Sequence, residues 1–221
     1  MPADFPSTKD DALMAFADNL DKGYRATHGS SPAPAWSAFV RASYGVLYRW
    51  RALAEADITF AKTVETPEQQ FQQESALFSF FTCALSVVEL SCFAFYAFAA
   101  QINPGDFGQV TKNPRTIVPQ FVRQQFERLY PGESIAITIA SCLDSQMFAD
   151  ISDIRNELSH RGTAERGVVL YMTPETRHLS HSTWRGDRFD AKLTEGYRTG
   201  LAAHMDAMFS AAVAFGTAHI V

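Results

Sequence analysis

Apolar residues recur every three or four positions through the first half of the chain, which is the spacing of amphipathic helices. This pattern predicts a first helix over residues 7–27, with Gly29 as its stop signal. Residues 30–34 form a predicted linker, and a second helix begins near Ala35 and ends before the Thr66-Pro67 pair. The apolar positions that carry this prediction are Leu13, Phe16, Ala17, Leu20, Tyr24, Trp36, Phe39, Val40, Val46, Leu47, Trp50 and Leu53.

A long apolar helix is predicted over residues 67–101. Thr66 and Gln69 form a capping-box pattern around Pro67, which suits the first helical position. Residues 76–100 carry a single charge, Glu89, and are long enough to span a bilayer. Their serines and threonine, together with the lack of flanking positive clusters, favour instead a central helix buried on most sides. We therefore expect no membrane association.

One narrow polar stripe runs along this predicted helix, because its members are spaced four, three, four and three residues apart. Small hydroxyl groups of this kind permit close helix packing and bond back to main-chain carbonyls. Alternatively, the stripe lines a polar cleft in which Glu89 is the one ionisable group, since a buried carboxylate needs a partner. The stripe consists of Ser75, Ser79, Thr82, Ser86 and Glu89.

The second half of the chain alternates shorter helices with turn signals. A fourth helix is predicted over residues 116–130, where Pro131-Gly132 ends it. Residues 134–142 fit either a strand, because their isoleucines alternate, or the start of the next helix. A fifth helix stops at Gly162, and a final helix covers residues 190–216.

These elements predict a mainly α fold, a helical bundle with a small β-hairpin insertion near residues 167–184. In the insertion, residues 167–172 and 177–184 read as strands joined by a turn at residues 173–176. We expect a single domain over residues 1–221, with residues 1–34 as its N-terminal helix and linker and residues 163–190 as the insertion.

Composition narrows the class of protein. The chain is 47% hydrophobic and 19% charged, which suffices for one core and excludes global disorder. Three cysteines, an odd number, exclude a disulfide scaffold and indicate a reducing compartment. The polar, acidic N-terminus lacks the apolar core of a secretory signal, so we expect a cytoplasmic protein. A net charge of −5 argues against a general nucleic-acid coat but is compatible with local basic surfaces.

One short string, D-I-R-N-E-L-S-H-R-G at residues 153–162, concentrates polar chemistry near the end of the fifth helix. Asn156 and His160 are four residues apart and therefore share a helical face. Arg155 lies about a hundred degrees around the same helix. His160 falls in the last turn, where the negative end of the helix favours the imidazolium form. The string thus presents an amide, an imidazole and a guanidinium together.

This string resembles the R-N-x-x-x-H signature of the HEPN superfamily, whose motif likewise sits near the end of a helix in an all-α bundle. The resemblance implies a metal-independent ribonuclease or an RNA-binding protein, and it suggests a role in a toxin–antitoxin or defence system. It also implies a homodimer in which the two motifs meet in one cleft. It maps Arg155, Asn156 and His160 onto the motif positions, and Glu89 onto the polar residue that an earlier helix contributes to the cleft.

The chemistry implied needs no cofactor and no metal, because RNA supplies its own nucleophile, the 2′-hydroxyl. His160 is then the general base or acid, and Arg155 neutralises charge on the phosphate. Asn156 positions the phosphate or holds His160 in one orientation.

Three alternatives stay open at this point. In the first, the motif is structural: Arg155 pairs with Asp150, Asp153 or Glu157. Asn156 and His160 then only cap the helix end. In the second, the chain is a catalytically silent helical module that binds a protein partner such as an antitoxin. In the third, a small molecule binds in a pocket between the polar stripe and the fifth helix.

Overall fold

The computed structural model describes residues 7–29, 33–62, 66–161, 165–169, 179–184 and 187–219. Within them the chain is mainly helical, which confirms the predicted helical bundle. A 3₁₀ turn covers Pro114–Thr116. The α-helices are α1 (Ser7–His28), α2 (Pro34–Phe60), α3 (Pro67–Ile102), α4 (Gln109–Lys112), α5 (Pro119–Leu129), α6 (Ser134–Leu143), α7 (Gln146–Arg161) and α8 (Ala191–His219).

Helix α3 is the central element of the bundle, and α2, α5, α7 and α8 all pack against it. It begins with the predicted capping box: the Gln69 amide N–H donates to the Thr66 hydroxyl at 3.2 Å, and Gln69 Oε1 accepts from the Thr66 N–H at 3.1 Å. Among the described residues, α3 is the one helix long and apolar enough to cross a membrane. Of its most apolar window, however, 61% is buried inside the protein, as in an ordinary core helix.

Helix α2 packs along α3 over most of its length, and a glycine permits their closest approach. A Cβ at Gly45 would lie 3.1 Å from Leu90 Cδ1. Helix α2 ends at Phe60, before the Thr66-Pro67 pair as predicted. At this end, Gln73 Nε2 of α3 donates to the carbonyl of Phe60 at 3.0 Å. A side chain of the neighbouring helix therefore satisfies an acceptor that a further helical turn would have used.

In the second half, one predicted helix boundary requires correction and one open alternative is decided. The fourth predicted helix, residues 116–130, begins only at Pro119, because proline fits the first helical turn and not the interior. The ambiguous residues 134–142 form helix α6 and not a strand. A strand would place Ile135, Ile137 and Ile139 on one face, whereas here Ile135 and Ile139 are buried and Ile137 is 57% exposed.

Three short strands lie between α7 and α8: β1 (Glu165–Val169), β2 (Leu179–Trp184) and β3 (Asp187–Arg188). They form a sheet in the order β1-β2-β3. Strands β1 and β2 are antiparallel, with Glu165 opposite Thr183 and Val169 opposite Leu179. The predicted turn at residues 173–176 lies outside the described residues, and so does Gly162, the predicted stop of α7. The hairpin connection therefore stays a prediction.

Two glycines of helix α8 give a matched stability test. A Cβ at Gly216 would lie 2.9 Å from Cζ of Phe98, a fully buried ring, whereas a Cβ at Gly196 meets nothing within 4 Å. Gly196→Ala is expected to stabilise the fold by about 0.5–1 kcal/mol, because alanine restricts the unfolded chain and favours a helix. Gly216→Ala is expected to destabilise it by about 1–3 kcal/mol through overpacking. Urea denaturation measures the free energy of unfolding, which is expected to rise for Gly196→Ala and to fall for Gly216→Ala. Equal changes in both variants would contradict this packing.

Candidate functional site

Helix α7 owes its position to an apolar face and a serine cap. Ile151, Ile154 and Leu158 recur at helical spacing and are all buried against the bundle. Ser145 precedes the helix, and its hydroxyl accepts a hydrogen bond from the backbone N–H of Phe148 at 3.1 Å. Because the apolar face is fixed, the residues between its members must point away from the core.

The predicted motif residues occupy that outer side of α7. Asn156 and His160 are exposed and Arg155 is half-buried. Arg155 Nη1 donates to Asn156 Oδ1 at 2.9 Å, so the guanidinium and the amide are held together. This bond engages the oxygen of Asn156 and leaves its NH₂ group to face other acceptors. The Ser159 hydroxyl bonds back to the Arg155 carbonyl at 2.8 Å.

Asp150, one proposed structural partner of Arg155, is engaged elsewhere. Its Oδ1 accepts from Gln146 Nε2 at 2.8 Å, and its Oδ2 accepts from the Tyr197 hydroxyl at 3.5 Å. Arg155 itself turns to Asn156. The arrangement therefore differs from the purely structural alternative in which Asp150 locks the guanidinium.

Glu89 of α3 lies within electrostatic reach of Arg155, because α3 and α7 pack together. Its side chain is exposed at the surface, yet the surrounding protein still removes enough water to raise the pKa of the carboxyl. The Arg155 guanidinium opposes that rise by favouring the carboxylate. The structure thus brings Glu89 and Arg155 into one neighbourhood, and His160 lies in the last turn of the same helix as Arg155.

The polar stripe of α3 forms a surface strip and not an enclosed cleft. Ser75, Ser79 and Glu89 are exposed, while Thr82 and Ser86 are half-buried. The Thr82 hydroxyl is buried and has no hydrogen-bond partner among the described residues. An exposed Glu89 argues against a small-molecule pocket closed around this carboxylate.

Aromatic and basic residues on the outer side of α2 extend this surface, and the sequence analysis missed them. Tyr44 and Tyr48 are 64% and 67% exposed. Helical periodicity could have found them, because Tyr44 and Tyr48 lie on the side of the helix opposite the buried Val46 and Trp50. Arg49 lies near Cys83 of α3, where burial raises the pKa of the thiol and the nearby guanidinium offsets part of that rise.

No group of three or more metal-ligating side chains occurs in the part of the chain that the structure describes. The candidate groups at this surface are Arg155, Asn156, His160 and Glu89. Comparison with family models, with curated proteins and with solved structures gave no match.

Proposed function

We propose that this chain is a HEPN-type RNA-binding protein that acts as a metal-independent endoribonuclease. The observation that carries the proposal is the contact at 2.9 Å between the half-buried Arg155 and the exposed Asn156, with an exposed His160 in the last turn of the same helix. Exposed polar groups placed together by a rigid helix are typical of binding and catalytic sites.

The proposed reaction uses the RNA as its own nucleophile. His160 removes the proton of a 2′-hydroxyl, whose oxygen then attacks the adjacent phosphorus. The bond from phosphorus to the 5′-oxygen breaks, and that oxygen takes up a proton, which an imidazolium supplies. The products are a 2′,3′-cyclic phosphate and a 5′-hydroxyl end.

The remaining residues stabilise and position the reacting phosphate. Arg155 neutralises the charge that develops on the non-bridging oxygens, for which a planar guanidinium is suited. The free NH₂ group of Asn156 donates to the same phosphate while its oxygen holds Arg155 in place. Glu89 of helix α3 is proposed to help orient the Arg155 guanidinium by electrostatic attraction.

The proposal includes a homodimer. The motif lies on an open face of the single chain, where Asn156 and His160 are exposed, and a second copy would convert this half-site into a cleft. A dimer would supply two imidazoles, one for each proton transfer. We further propose a cytoplasmic role in a toxin–antitoxin or defence system, with an antitoxin as a protein partner. The three free, buried cysteines fit a reducing compartment.

The test is cleavage of a varied RNA pool in the presence of EDTA, comparing wild type with Arg155→Ala and His160→Ala. Cleavage by the wild type that both substitutions abolish, with helical content unchanged by circular dichroism, supports the proposal. If the wild type does not cleave RNA, the ribonuclease proposal is replaced by the catalytically silent module. Equal cleavage by all three proteins indicates a contaminating nuclease and removes the catalytic role of the motif.

A further inference from the structure

The outer face of α2 carries two large aromatic side chains that the fold does not need for packing. Tyr44 and Tyr48 are 64% and 67% exposed, while Val46 and Trp50 bury the opposite side of the helix. The two tyrosines are four residues apart, so they project from the same side of α2 about one turn, or 5.4 Å, from each other.

Positive charge surrounds these rings. Arg41, Arg49 and Arg51 are exposed on the same helix, and the Arg49 guanidinium lies 5.7 Å from the ring centroid of Tyr48. Glu55 is the exposed acid one turn beyond Arg51. We call Arg41, Tyr44, Tyr48, Arg49 and Arg51 the tyrosine–arginine face. It is basic in a chain whose net charge is −5, which makes it complementary to a polyanion.

The tyrosine–arginine face and the candidate catalytic site belong to helices that both pack against α3. Gly45 lies between the two tyrosines and packs directly on Leu90. Leu90 follows Glu89, which interacts with Arg155 of α7. Helix α3 is therefore the element that separates the two surfaces, and it carries exposed polar residues of its own, Ser75, Ser79 and Glu89.

We propose that the tyrosine–arginine face holds single-stranded RNA, with bases stacked on Tyr44 and Tyr48 and phosphates bound by the three arginines. Stacking on aromatic rings inside a positively charged track is the general means of binding single strands without sequence preference. The strand then crosses α3 and presents a phosphodiester to Arg155 and His160. This inference rests on the proposed function, because it names the path by which that substrate reaches the site.

The direct test is fluorescence anisotropy with a labelled single-stranded 2′-O-methyl RNA 12-mer, which binds but lacks the 2′-hydroxyl needed for cleavage. Replacing both tyrosines with alanine is expected to weaken binding at least about tenfold, since each lost stack is costly. Replacing both with phenylalanine keeps the stacking surfaces and is expected to leave the affinity within about twofold. Phe71→Ala is the matched control, because Phe71 is 64% exposed on α3 and is not part of the tyrosine–arginine face.

The salt dependence gives a second readout. Arg49→Gln is expected to lower the slope of log affinity against log salt by about 0.7, the value for one phosphate contact on a single strand. An unchanged slope would remove Arg49 from the RNA path.

Two results would overturn the inference: no RNA binding by the wild type, or unchanged RNA affinity in the double alanine variant. If that variant also loses a dimer, measured by sedimentation, the face belongs to an interface with a second copy of the chain. Failure of the proposed ribonuclease function gives a different result. In that case RNA binding still depends on Tyr44 and Tyr48, but no cleavage depends on Arg155 or His160.

Discussion

Alanine at position 160 is expected to lower the rate of RNA cleavage by a factor of about 10² to 10⁴, the usual contribution of a positioned acid or base. The substitution removes the imidazole to which the proposed mechanism assigns proton transfer. It is not expected to unfold the protein, because His160 is exposed in the last turn of α7. The measurement is the single-turnover cleavage rate in EDTA.

A second histidine provides the control for this prediction. His28 is also exposed and also lies in the last turn of a helix, α1. His28→Ala is expected to retain the wild-type rate within about twofold. A His160→Ala protein that keeps more than about half of the wild-type rate would exclude His160 as the proton-transferring group.

The largest expected effect on stability comes from the centre of α3. Phe95 is completely buried, and its ring packs edge-on against Phe209 of α8 at a centroid distance of 5.2 Å. Phe95→Ala is expected to reduce the free energy of unfolding by about 3–5 kcal/mol, because it removes buried apolar surface and leaves a cavity. Equilibrium urea denaturation measures this loss.

The exposed Phe71 supplies the comparison for the core substitution as well. Phe71→Ala is expected to change the free energy of unfolding by no more than about 0.5 kcal/mol, because its ring is 64% exposed. If Phe95→Ala costs no more than Phe71→Ala, helix α3 is not the packed centre of the bundle.

The sequence predicted the helices best where periodicity and end signals agreed. The Thr66–Gln69 capping box and the stop at Gly29 are both present, the latter with a positive φ of 97°. Such signals are local, since a cap depends on a side chain and the backbone within three residues of it. They can therefore be recognised without knowing the fold.

The sequence left an outcome open where a distant contact decides it. Alternating isoleucines in residues 134–142 suited a strand equally well, and only packing of Ile135 and Ile139 on the bundle selects the helix. Likewise, α2 ends where Gln73 of α3 reaches the Phe60 carbonyl, a contact that no local pattern announces. Tertiary packing commonly overrides a short periodic signal in this way.

The candidate site was predictable as a set of residues but not as a surface. Helical spacing alone places Arg155, Asn156 and His160 on the polar side of α7 opposite Ile154 and Leu158. The proximity of Glu89 to Arg155 depends on how α3 packs against α7. The exposed tyrosines of α2 were not singled out from the sequence, because most of its aromatic residues belong to the core.

The most direct measurement is the chemistry of the RNA ends after incubation with the wild-type protein in EDTA, read by mass spectrometry. The account predicts 2′,3′-cyclic phosphate and 5′-hydroxyl ends, and no cleavage of the same strand when the 2′-hydroxyl at the cut is replaced by hydrogen. Products with 5′-phosphate and 3′-hydroxyl ends, or cutting of the 2′-deoxy strand, would show that water attacks the phosphate. Either result would contradict the roles given to Arg155, Asn156 and His160.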